Sequence, residues 1–205
     1  MIMLENIMSN PREIIKYAVM IVLLIVLLII YRSIKTGDGR IFGNTKEENL
    51  LKREFSIIDE DTFSPDRDNY RLIVGMCMRI QTSLEKEKSP DEAFLALPEV
   101  KRNAMTLGYL FEDSQVVLSN FFRSNGEPLL FAAKNAVETV IGGEYAEIFD
   151  RMFPMFDESN EDVSVNEALV KQYDSEFKEL MKNTGAEIYK ITADYIRTNK
   201  AGFMN

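Results

Sequence analysis

Tyr17 to Tyr31, YAVMIVLLIVLLIIY, is a run of 15 residues without a charge or a helix breaker. Ile14, Ile15 and Lys16 extend it to 18 residues, about 27 Å of helix, close to the roughly 30 Å hydrocarbon core of a bilayer. Lys16 and Arg32 can carry their charged heads to the two interfaces, and Tyr17 and Tyr31 suit the headgroup level. A buried core helix would show a polar face, and a cleaved leader would end in small residues where this chain has IIYRSIK. Residues 14–32 are therefore expected to form a single-pass transmembrane anchor behind an N-terminal tail, 1–13. Arg32, Lys35, Arg40 and Lys46 follow the segment and only Arg12 and Lys16 flank its start, which places the following body in the cytoplasm. A lone cysteine, Cys77, and the absence of an N-x-S/T sequon agree with that side.

Beyond the anchor the hydrophobic spacing is helical throughout. Residues 33–63 read as a linker: glycine-rich TGDGRIFGN, then a short helix from Lys46 to Phe55, then the acidic turn IDEDTFSPD. Residues 64–205 read as a compact, all-helical acidic domain. Ser64-Pro65 is expected to open a helix carrying Tyr70, Ile73, Val74, Cys77, Ile80 and Leu84 on one face. Ser89-Pro90-Asp91-Glu92 is expected to cap a short helix. Pro98 starts another with Val100, Ala104, Leu107 and Phe111, expected to continue through Val116–Phe122 after a kink at Glu112-Asp113. Pro128 opens the next, which Gly142-Gly143 closes. Tyr145, Ile148, Phe149, Met152 and Phe153 make a further stripe. Ser164 to Glu167 is expected to cap a helix bearing Leu169, Tyr173, Phe177 and Leu180, and Thr184-Gly185 to separate it from a closing helix with Ile188, Ile191 and Tyr195. No alternating strand pattern of useful length occurs, so the expected class is all-α.

The residue inventory narrows the chemistry. The chain has no histidine, which removes the commonest general base and metal ligand and every Ser-His or Cys-His arrangement. One cysteine excludes an intrachain disulfide and a thiolate metal cage. Of the 33 acids 31 lie from Thr36 onward, against 20 of the 24 bases, so the body carries a formal charge of about −11. Such a surface repels nucleic-acid phosphates and attracts basic partners. The acids gather at Asp59-Glu60-Asp61, at Glu144, Glu147 and Asp150, and at Asp157, Glu158, Glu161 and Asp162. The spacing of three puts Glu144, Glu147 and Asp150 near one helical face. No residue is assigned a catalytic, cofactor-binding or metal-ligating role.

Ser119–Gly143, SNFFRSNGEPLLFAAKNAVETVIGG, poses a separate question. Phe121 and Phe122 end a helix, and at about 100° per residue they cannot share a face. One is expected to anchor the core and the other to pack beneath the turn. Asn125-Gly126 is expected to reverse the chain in the left-handed conformation before Pro128 restarts a helix. A DNA-reading corner does not fit, because Arg123 and Lys134 are outnumbered by Glu112, Asp113 and Glu127.

LSNFFRSNGEP followed by AAKNAVETVIGG, the lead-in PEVKRNAMTLGYLFED, and the tail segments YDSEFKELM and ADYIRTNKAGF resemble the acidic, all-helical DNA-mimic protein family. The likeness runs from Leu97 to Phe203. It departs at Gln115-Val116-Val117-Leu118, where the family has an Asn-Gly-Gly-Phe step, and the turn is one residue shorter. In this resemblance Phe121, Phe122, Asn125 and Gly126 are structural. It implies a non-catalytic interaction protein whose carboxylates stand in for duplex phosphates before a basic protein partner, with no cofactor and no direct nucleic-acid binding. A tethered binder, or a neutraliser of a basic toxin, suits the anchor. A homodimer is compatible with all of this. The competing classes are a carboxylate hydrolase using a divalent metal, around Glu112-Asp113 or Glu144 and Glu147, and a structural membrane component.

Overall fold

Helix α2, Asn69–Leu84, is apolar nearly all round, with Leu72, Ile73, Val74, Met76, Cys77, Met78 and Ile80 buried. A helix of that kind belongs at the centre of a fold, and four other helices pack against it. The computed structural model describes residues 45–156 and 165–204. The expected anchor, 14–32, and the acidic positions Asp157, Glu158, Glu161 and Asp162 lie outside them. Eight α-helices and no strand occur among the described residues, so the class is all-α. None of these helices is long and apolar enough to cross a membrane.

Against α2 lie α1, Thr45–Glu54; α4, Glu99–Asp113; and α8, Glu167–Thr198. The short α3, Pro90–Leu95, bridges α2 to α4 and buries Phe94. α5, Ser119–Ser124, and α6, Leu129–Ala136, follow α4; α6 runs into a π-helical turn, Val137–Ile141, and then into α7, Gly143–Met152. One continuous hydrophobic core joins them all. Two glycines set the closest approaches: a Cβ on Gly75 would lie 2.1 Å from the Phe55 ring, and one on Gly108 would lie 2.3 Å from the Cβ of Cys77. Only hydrogen fits at either place, and there α1 and α4 meet the central helix.

Several boundaries differ from the sequence expectation. The short helix expected in the 33–63 linker is α1, and it is packed into the body: Leu51 and Phe55 are buried, and Glu54 pairs with Arg67 and Arg71. α2 opens at Asn69, not at Pro65, because Asp68 accepts the Arg71 amide at 2.8 Å while Asp59 caps the preceding 3-10 turn. Ser89 makes no side-chain cap. The chain does not continue helically after Asp113: it breaks over 114–118 and restarts as α5, whose first amide and the Ser119 hydroxyl donate to Asp174 at 2.8 and 2.6 Å.

Ser164 lies outside the described residues, and the cap of α8 is Asn166, accepting from Ala168 and Leu169. α8 also runs unbroken through Thr184-Gly185. Packing of Phe177, Leu180, Ile188, Ala193 and Ile196 outweighs the roughly 1 kcal/mol penalty of one helical glycine. A terminal 3-10 turn then lays Phe203 against Phe63, ring centroids 6.3 Å apart.

Candidate functional site

The corner at Phe121-Phe122 is built as a stack of rings. Both phenylalanines are buried, 5.7 Å apart and edge to face. Phe122 lies 4.8 Å from Phe149 and stacks on Phe156 at 5.2 Å, and Phe121 reaches Phe149 at 6.3 Å. The pair therefore joins α5 to α7, and the expected division of labour, one ring in the core and one under the turn, does not hold. Asn125 is extended, at φ −125°, and Gly126 has no positive φ either. Asn125 works through its side chain, donating to Asp113 at 2.6 Å and to the Phe121 carbonyl at 2.8 Å. The chain then passes a cis Glu127–Pro128 peptide into α6. The left-handed residues are Gly142 and Gly143, at φ 67° and 55°, where the π-helical turn stops and α7 starts.

That start fixes the register of α7. Tyr145, Ile148, Phe149 and Met152 face the core, which turns Glu144 and Glu147 outward, exposed. Asp150 is on the same side but half-buried, 3.3 Å from Lys134. Lys134 also approaches Glu138 at 3.8 Å and lies 5.3 Å over the Phe153 ring. Arg151 is taken by Glu176 and by the face of Tyr173 at 4.8 Å. Both cations of α6 and α7 are thus committed, while Glu144 and Glu147 make no ion pair among the described residues.

Glu112 and Asp113, adjacent at the end of α4, turn to different partners. Glu112 accepts from the Tyr70 hydroxyl, and Gln115 donates to that hydroxyl at 2.6 Å. Asp113 accepts from Asn125. Burial raises both carboxyls above their ordinary values, and these hydrogen bonds oppose the rise. Burial likewise pushes the Cys77 thiol up, as suits a core residue. Among the described residues no group of three acidic or cysteine side chains is gathered to hold a metal ion.

Sequence reasoning missed a half-open cleft of about 570 Å³ between the loop after α4 and the middle of α8. Gln115 and Val116 form one wall; Phe177, Met181, Gly185 and Tyr189 form the other. The one available signal was the mid-helix glycine, which reads equally well as a helix break. Comparison with protein-family models, with curated proteins and with solved structures finds no match for this chain.

Proposed function

We propose that the chain is a non-catalytic helical interaction protein, anchored in a membrane by residues 14–32, whose acidic α7 face binds a basic protein partner from the cytoplasmic side. Its mode of binding is that of the DNA mimics its second half resembles. The observation that supports this is the charge accounting of the α6–α7 surface. Every cation there is already engaged, so Glu144 and Glu147 are left to meet positive charge from outside. Residues three apart on one helix have Cβ atoms roughly 5–6 Å apart, so their carboxylates stand close enough for neighbouring Lys and Arg side chains to meet both. Asp157, Glu158, Glu161 and Asp162 follow closely in the chain and add to its negative charge.

An interface of exposed charges forms quickly and weakens with salt, since the Debye length shortens from about 10 Å at 0.1 M to about 3 Å at 1 M. The test is retention of basic proteins from a lysate by the full chain, held in lipid nanodiscs, at low and high ionic strength. A defined set is expected at low salt, lost at high salt and lost in the variant Glu144→Lys, Glu147→Lys. If that variant holds the same set, α7 is only a solvated face and the proposal fails.

A further inference from the structure

We propose that the cleft between the α4–α5 loop and α8 is a binding site for a small organic acid with an aromatic-sized apolar body. Its volume, about 570 Å³, is within the range of small-molecule sites, and its walls are of the usual kind, apolar with a few polar groups. The proposal does not rest on the acidic face of α7.

Gly185 supplies the first argument. It lies in the interior of a 32-residue helix, where glycine costs stability relative to alanine. At Gly75 and Gly108 a neighbouring element leaves room only for hydrogen. At Gly185 a Cβ would meet nothing but the terminal methyl of Met181, at 3.3 Å, so no packed helix requires the glycine. It lines the cleft beneath the Met181 methyl, and its missing side chain keeps that part of the wall low. At about 100° per residue, Met181 falls to one side of position 185 and Lys178, Tyr189 and Lys182 to the other, so the glycine lies near the centre of the cleft wall.

Charge supplies the second argument. Lys178 and Lys182 stand one turn apart on the N-terminal half of the α8 wall and are exposed. Lys182 has only a loose partner, Glu179 at 3.9 Å, and Lys178 has no ion pair among the described residues. Two cations on an otherwise strongly acidic body form a local positive mouth. On the C-terminal half of the same wall Tyr189 packs on Tyr70 at 5.2 Å and on Phe111 at 5.1 Å. Beyond it the Glu112 carboxylate is held by Tyr70 and Gln115. An acid is thereby oriented: its carboxylate goes to the lysines, away from Glu112, and its apolar body lies over Gly185 toward Tyr189.

The experiment uses the full chain in nanodiscs and three probes with one body: 3-phenylpropanoate, 3-phenylpropanol and 3-phenylpropylammonium. Binding is followed by saturation-transfer NMR, with empty nanodiscs subtracted, and by the thermal midpoint of the protein. The acid is expected to bind saturably, and the alcohol and the ammonium more weakly by on the order of tenfold or more. Lys178→Glu, Lys182→Glu should reverse the order of acid and ammonium. Gly185→Leu should block all three, while Gly185→Ala should keep or raise the midpoint of the free protein and still weaken the acid. If Gly185→Leu does not fold, the lysine variant, altered only at the surface, decides. Equal binding of the three probes, no binding of the acid, or unchanged preference in the lysine variant would overturn the proposal.

Discussion

Glu112 shows how much a single side chain's meaning depends on what folds against it. In the sequence it is one half of an acidic pair at the end of a helix and a reasonable metal ligand. In the fold it is half-buried, bonded to Tyr70 and Gln115, and burial raises its pKa above the ordinary 4.5. A carboxyl whose folded pKa is raised favours the folded state when protonated. That contribution is complete below the ordinary value and is lost as pH climbs through the folded value. Glu112→Gln keeps an acceptor for the Tyr70 hydroxyl and removes the titration. Between about pH 4 and about pH 8 the parent should therefore lose more stability than Glu112→Gln, read from urea midpoints. Parallel curves would show that the carboxyl is not penalised by burial. Phe121 and Phe122 were legible as buried aromatics; their partners Phe149 and Phe156 were not, because ring contacts across 28 and 34 positions leave no trace in local spacing. Asn125 was legible as a turn residue, but its role is a side-chain bond to Asp113 and not a left-handed backbone.

At the scale of elements, hydrophobic period located the helices and capping residues misplaced their ends. The expected starts at Ser64-Pro65 and Ser164 failed because Asp68 and Asn166 offer better acceptors nearer the first buried turn. The expected break at Gly185 failed because tertiary packing on both sides holds α8 together. α1 is the element whose importance local sequence understates, since its mean hydropathy is low and its apolar contribution to the core is mainly Leu51. Phe55, just past its end, lies across Gly75 with Arg67 5.2 Å above the ring. Phe55→Ala should then destabilise the body by about 3–5 kcal/mol, the usual cost of deleting a buried ring. Chemical denaturation of the full chain measures it; a loss under about 0.5 kcal/mol would mean that residues 45–55 behave as a surface tether.

For the whole molecule, the absence of any alternating pattern made the all-α class legible, whereas the cleft was not, because its walls come from residues about 65 positions apart. Charge was legible in sum, but only the pairing of Lys134 and Arg151 shows which carboxylates are left over. The same charge bears on the membrane. A body at about −11 gains nothing from an anionic leaflet, and electrostatics would hold it away. On the proposed reading, attachment would come from the apolar segment 14–32 and the few basic residues beside it, not from the body. The full chain is expected to stay with membranes through both a high-salt and an alkaline carbonate wash. Leu24→Arg with Leu27→Arg puts two charges at the centre of the segment, each costing about 2.5–3.5 kcal/mol on insertion, and should move the protein to the supernatant. Release of the parent by salt alone would point to a protein partner as the tether, and residues 14–32 would then need another explanation for fifteen uncharged positions in a row.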